Sequence, residues 1–304
     1  MIVKSNIKEE IRKILEERTL LLDGAMGTML QANGLKSGEC PEEWNISNPQ
    51  IIKNIHKEYI KAGSDIILTN TFGASGIKLS NYDREKEVKT INESAVKICK
   101  DAINETEISK RKIYAGGSIG PTGKILEPYG NLSVEKTYES YREQVLVLEK
   151  AGIDLIVLET FYDLEEIRTA LRAVKENTNL MVFASMTFDK NLKTIYGIKP
   201  EKAVVTLEND GADGVGANCG TGPEIMYEVM KLMKKVSKKY LLVEPNAGLP
   251  EIVDGKIFYP ASPENMADYA KKFKDLEINI IGGCCGTTPL HINAMSDKIK
   301  NGSL

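Results

Sequence analysis

Two hydrophobic spacings alternate along this chain. Short, nearly unbroken apolar runs are separated by longer stretches whose apolar positions fall at helical intervals. Runs of the first kind read as strands buried on both faces, and stretches of the second kind as helices with one buried stripe. In chain order the pattern predicts a helix over Ile7–Glu17, with Asn6 placed to cap it and Ile7, Ile11, Ile14 and Leu15 on one face. A short strand at Leu20–Leu22 follows. Pro49–Ala62 is a second helix, ended by Gly63, and its His56 reads as an ordinary, partly exposed residue. Further strands are expected at Asp65–Thr69, Lys112–Ser118, Asp154–Leu158, Met181–Met186, Asp213–Asn218, Tyr240–Glu244 and Ile278–Gly283. Between them lie helices over Glu85–Asn104, Ser133–Ala151, Leu164–Glu176, Pro200–Asp210 and Glu224–Ser237, and from Ser262 to Lys274. A last helix runs from Pro289 to Lys300, and Ile119–Leu132 is a long loop.

Strands alternating with helices imply parallel strands joined by crossover helices. Eight such units in a chain of 304 residues match a single closed (β/α)8 TIM barrel. An open doubly wound sheet is the alternative. It would usually carry a Gly-x-Gly-x-x-Gly turn after its first strand, which Asp23-Gly24-Ala25-Met26-Gly27-Thr28 does not match. No linker or low-complexity segment divides the chain, so residues 1–304 are expected to form one domain.

Composition narrows the class. Hydrophobic residues make up 42% and charged residues 27%, with a net charge of -3. The basic residues are balanced and scattered, which argues against a nucleic-acid partner. No apolar run approaches the ~20 residues of a membrane span, and Met1–Arg18 lacks an apolar signal core. A cytoplasmic protein is expected. Five cysteines are too few, and odd in number, for a disulfide scaffold.

The cysteines instead fall at strand ends. Cys284 and Cys285 lie in Gly282-Gly283-Cys284-Cys285-Gly286-Thr287-Thr288-Pro289, and Cys219 closes Val215-Gly216-Ala217-Asn218-Cys219. Three soft ligands with one open position suit a catalytic zinc; the plainer alternative is small buried hydrophobes. Cys99 sits among Ala95, Val96 and Ile98 and reads as packing. Asp23, Asn70, Glu159, Cys219, Asn246, Cys284 and Cys285 all lie at C-terminal strand ends, which in a barrel share one mouth. That convergence favours zinc. A zinc held by three thiolates is a weak Lewis acid, better suited to activating a thiol than to making hydroxide. The inferred reaction is attack by a substrate thiol on an electrophilic carbon. Asp23 and Glu159 would then bind the ammonium of an amino-acid substrate. Alternatives are a general acid–base pair or rim ion pairs with lysines, and Asp23 is also a candidate helix N-cap.

These pieces resemble the zinc-dependent homocysteine S-methyltransferases, and most of all the N-terminal homocysteine-binding barrel of the cobalamin-dependent methionine synthases. The resemblance rests on Asp23–Thr28, Thr69-Asn70-Thr71-Phe72-Gly73, Ile119-Gly120-Pro121-Thr122-Gly123, Glu159-Thr160-Phe161, Asn218-Cys219, Glu244-Pro245-Asn246-Ala247-Gly248 and Gly282–Pro289. It implies zinc on Cys219, Cys284 and Cys285, and homocysteine methylated to methionine. Asp23 and Glu159 match the amino-acid-binding carboxylates of the family. Gly24, Thr69 and Asn70 would hold the rest of homocysteine. Asn246 is expected to lend its amide oxygen to zinc when homocysteine is absent.

The methyl donor follows from smaller differences. Members using S-methylmethionine usually carry Arg at the position of Gly286, and betaine-using relatives usually lack the Thr-Thr-Pro; both comparisons favour methylcobalamin. Yet there is no second barrel for methyltetrahydrofolate and no Asp-x-His-x-x-Gly cobalamin motif, the only histidines being His56 and His291. Either a separate corrinoid protein brings the methyl group or this chain is one module of a longer enzyme. A sulfonium, betaine or other donor, and a non-catalytic homocysteine- or zinc-binding subunit, are the alternatives.

Overall fold

Alternation within the strands decides the architecture. Leu20 and Leu22 pack in one buried cluster with Leu155, Val157, Met181, Phe183, Leu242 and Ile280. Leu21, Ile156, Leu158, Val182 and Ala184 belong to a second cluster shared with the helices. One face of each strand therefore looks into a barrel and the other looks out to a helical layer. In the computed structural model, which describes residues 7–107, 111–253 and 256–301, the barrel strands are β1 (Leu20–Leu21), β2 (Ile66–Leu68), β3 (Tyr114–Ile119), β4 (Leu155–Phe161), β5 (Met181–Met186), β6 (Gly214–Asn218), β7 (Tyr240–Glu244) and β10 (Ile280–Ile281). All are parallel, in the order β1-β10-β7-β6-β5-β4-β3-β2. A parallel bridge between Leu22 and Ile66 joins the two ends. The result is the expected (β/α)8 barrel.

The helix Ile7–Glu17 closes the N-terminal end of the barrel. Its Ile11 and Leu15 belong to the inner cluster, and Lys8 and Arg12 pair with Asp213 at 2.9 and 3.1 Å. With that end filled by apolar side chains, open space is left at the C-terminal ends of the strands. The outer helices start and stop on local signals. Ser133 and Ser262 cap helices Val134–Ala151 and Pro263–Asp275 through their side chains, and Gly63 and Gly152 end helices in the left-handed region.

Several expectations need correction. The proposed Asn6 cap lies outside the described residues. Asp23 caps no helix: the next one begins at Gly27, and the Asp23 carboxylate accepts the Leu68 N–H at 2.9 Å. The helix expected from Glu85 starts as a 3-10 turn, Glu85–Glu87, and becomes α-helical at Val88. The fourth strand runs on through Phe161 with an irregular register after Leu158, so Glu159 lies within it. His56 is wholly buried, and neither ring nitrogen has a hydrogen-bond partner. Pattern reading also missed an antiparallel hairpin, β8 (Glu251–Val253) with β9 (Lys256–Phe258). Its Ile252, Ile257 and Phe258 are exposed and carry no burial signal to read. No described helix is long and apolar enough to cross a membrane.

Candidate functional site

Hydrogen bonds between neighbouring loops gather the cysteines. Cys219 follows β6 and donates its N–H to Glu244 O at 3.0 Å. Past β10, Cys284 N–H donates to Pro245 O at 2.9 Å, and Cys285 O accepts Ala247 N–H at 2.9 Å. The loop after β7 thus holds both cysteine segments in place. Cys219 itself has φ of 58°, a left-handed conformation that a non-glycine residue holds only when its surroundings impose it.

The Cys219 and Cys285 sulfurs are 4.0 Å apart, and all three sulfurs lie within 4.8 Å of one another. A tetrahedral zinc with bonds of about 2.3 Å places its sulfur ligands roughly 3.8 Å apart, so small side-chain adjustments suffice. The thiols are free. Hydrogen bonds with Cys219 and Cys284 hold the Cys285 thiol low, while those with Cys219 and Cys285 push Cys284 up. Asn246 is buried, its Oδ1 has no partner, and its N–H donates to Thr221 O at 3.1 Å. The donor set of three thiols fits a thiophilic metal. The remaining cysteines stand apart. Cys99 is buried with its sulfur 3.8 Å from Ile67 O, and burial pushes the Cys40 thiol up to about 11.

Beside the sulfurs opens a cavity of about 380 Å³. Its walls include Asp23, Gly24, Thr69, Asn70, Glu159 and the three cysteines; Asn246 is not among its lining residues. Gly24 is a close-approach position, because a Cβ there would lie 2.7 Å from Thr287 Oγ1 and 2.9 Å from the Tyr59 ring. Glu159 accepts the Ser118 hydroxyl at 2.5 Å and faces Asn218 Nδ2 at 3.5 Å. Burial raises the pKa of Asp23, and so does the neighbouring Glu159. Burial likewise raises Glu159, against the Ser118 hydrogen bond.

Two expected substrate contacts already serve the protein. Thr71 donates its hydroxyl to Ser118 O at 2.8 Å, so the 2.6 Å contact between Thr69 and Thr71 uses the Thr69 proton. Asn70 Nδ2 donates to Pro41 O at 2.8 Å and to Asn45 Oδ1 at 3.2 Å. These bonds fix the cavity wall at residues 41–45.

The sequence reading passed over four polar residues of the site. Ser118, Glu42 and Glu244 line the cavity, and Asn218 orients Glu159 and accepts the Thr160 N–H at 2.8 Å. Glu244 and Asn218 end their strands, as the selected residues do, and that position was the available signal. Glu42 lies in a segment without periodicity and gave none.

Thiols and carboxyls converging at the C-terminal mouth of a parallel barrel define an enzyme-type site. The model of the homocysteine S-methyltransferase family matches residues 20–299, and the chain belongs to that family. It is 31% identical over 304 residues to the methionine synthase of Mycobacterium tuberculosis, a match that takes in 96% of this chain and 25% of that protein. The chain thus spans about a quarter of the length of this curated relative. Among solved structures, the metallated homocysteine methyltransferase MmuM of Escherichia coli superposes with a TM-score of 0.79 at 24% identity, covering 95% of this chain and 99% of the other. The carboxyl transferase domain of Rhizobium etli pyruvate carboxylase shares the fold more distantly, with a TM-score of 0.55 at 13% identity over 97% of this chain and 49% of the other.

Proposed function

We propose that the protein methylates homocysteine to methionine, with zinc held by Cys219, Cys284 and Cys285. The observation that carries this reading is the gathering of three sulfurs within 4.8 Å beside a carboxyl-lined cavity, in a member of this family. Zinc, when bound, would supply a Lewis acid that lowers the pKa of the substrate thiol, so that its proton is released to solvent and the sulfur is nucleophilic at neutral pH. The chain's own residues do the rest. Asp23 and Glu159 receive the substrate ammonium, while Ser118 and Asn218 keep Glu159 facing the cavity. Gly24, Thr69 and Asn70 shape the wall against which the amino-acid backbone lies. Asn246, with its unpartnered oxygen, would be a further ligand to the metal in the absence of the substrate thiol.

The donor we infer is methylcobalamin carried by a separate corrinoid protein or by another module. Exposed apolar side chains on the loops after β3, β5 and β7, among them Tyr129, Ile195, Tyr196, Ile252, Ile257 and Phe258, support a protein-borne donor; a small sulfonium needs no such rim. The deciding experiment follows methylcobalamin absorbance with homocysteine and zinc-loaded protein, using zinc-stripped protein as control. Zinc-dependent loss of methylcobalamin with methionine formed is the expected result. No loss with zinc shown to be bound would turn the reading to sulfonium or betaine donors.

A further inference from the structure

The cavity has an imbalance that Asp23 and Glu159 do not resolve. Four carboxyl side chains line it, Asp23, Glu42, Glu159 and Glu244, and no Lys, Arg or His does. Three of the four are engaged. Glu42 accepts the Gly73 N–H at 2.7 Å, Asp23 accepts that of Leu68, and Glu159 accepts the Ser118 hydroxyl. Glu244 differs: it is 3% exposed, and its Oε2 has no hydrogen-bond partner. A buried carboxyl oxygen without a donor is costly, so its presence in a ligand cavity points to a donor that arrives with the ligand.

The backbone makes room for this side chain. Glu244 ends β7 in register with Asn218 of β6. A Cβ at Gly282 would stand 3.4 Å from Glu244 Cγ and 3.0 Å from Asp23 O. The glycine therefore lets Glu244 sit beside the Asp23 segment. Glu244 is not one of the ligand atoms gathered at the three sulfurs, so metal ligation does not account for it.

We propose that Glu244 is a third acceptor for the substrate's amino group and makes the cavity selective for α-amino thiols over plain thiol acids. An ammonium has three N–H donors and no acceptor; Asp23, Glu159 and Glu244 offer it one carboxyl each. The proposal rests on the thiol-methylation reading above.

The test loads the full chain with cobalt(II) and titrates it with homocysteine and with 4-mercaptobutanoate, which lacks only the amino group. Binding is read from the thiolate-to-cobalt absorption band. Glu244→Gln should weaken homocysteine about tenfold or more and leave 4-mercaptobutanoate within about twofold. The second thiol also shows that the variant has kept its fold and metal site. Equal weakening of both thiols, or of neither, overturns the role of Glu244 while leaving the methyltransferase reading intact. Failure of homocysteine to perturb the band in the unmodified protein overturns both.

Discussion

The hydroxyl oxygen of Thr287 accepts the backbone N–H of Ala25 at 3.1 Å, tying the first loop of the barrel to the last. The same hydroxyl donates to Cys284 O at 2.7 Å, and Tyr59 OH donates to Ala25 O at 2.8 Å. Thr287 therefore couples the loop carrying Asp23 and Gly24 to the loop carrying two thiols. Thr287→Val keeps the shape and removes both bonds, leaving the Ala25 N–H buried without a partner. The expected cost is about 2 kcal/mol in unfolding free energy, together with weaker zinc retention. Chemical denaturation and competition with a chromophoric chelator measure the two. Unchanged zinc affinity would show that the clamp does not reach the loop carrying Cys284 and Cys285.

A second network explains Gly120-Pro121-Thr122-Gly123, a motif that contributes no cavity wall. Glu166 Oε1 accepts the Thr122 N–H at 2.7 Å, the Thr122 hydroxyl at 2.6 Å and the Tyr141 hydroxyl at 3.0 Å. Burial raises the Glu166 pKa against these hydrogen bonds. Glu166→Leu strands the Thr122 N–H and hydroxyl, leaves the Tyr141 hydroxyl only Gly120 O at 3.3 Å, and should cost about 3 kcal/mol or more. Glu166→Gln retains an acceptor oxygen and should lose roughly half as much. Urea unfolding of both variants checks the order; equal losses would mean that side-chain volume, not hydrogen bonding, matters here.

Legibility in the sequence followed burial. The eight strands were readable because their two buried faces leave unbroken apolar runs, and the strand-end positions of Cys219, Cys284 and Cys285 pointed to one mouth once the barrel was inferred. The hairpin at residues 251–258 escaped because Ile252, Ile257 and Phe258 are exposed, so their apolar character records something other than the core. His56 was misjudged for the opposite reason. A lone histidine on an amphipathic helix looks like a boundary residue, and only packing shows that it is buried. Glu244 stood in a recognised motif, but its unpartnered oxygen is a property of three dimensions.

His56 gives the chain an acid-sensitive point. Burial alone pulls its pKa down from 6.5 to about 3. Between those values the unfolded chain takes up a proton that the folded chain refuses. Stability from this group is therefore whole above the unfolded pKa and falls as pH drops through the window, by about 1.4 kcal/mol per pH unit. His56→Leu removes the ionisable group and two unpartnered ring nitrogens. The difference in unfolding free energy between the variant and the unmodified protein should be flat above pH ~6.5 and grow below it in favour of the variant. A difference that stays constant down to pH ~4.5 would mean that His56 is protonated in the folded protein.

The apolar rim makes a prediction about the donor that is independent of the chemistry at sulfur. Ile252 is 83% and Phe258 52% exposed, on a hairpin that extends from the loop holding the cysteine segments. On the reading that a protein delivers the donor, this hairpin is the expected docking surface from which the methyl carbon is aligned with the substrate thiol. Free methylcobalamin needs no such surface. Replacing both residues with Lys should lower methyl transfer from a corrinoid-protein donor by about tenfold or more, as loss of two apolar anchors does at protein interfaces. It should leave turnover of free methylcobalamin within about twofold, because neither residue lines the cavity. Steady-state rates with the two donors, measured on the same variant, separate the cases. If both rates fall together, the hairpin shapes the site itself; if neither falls, a protein-borne donor reaches the thiol by another face of the rim.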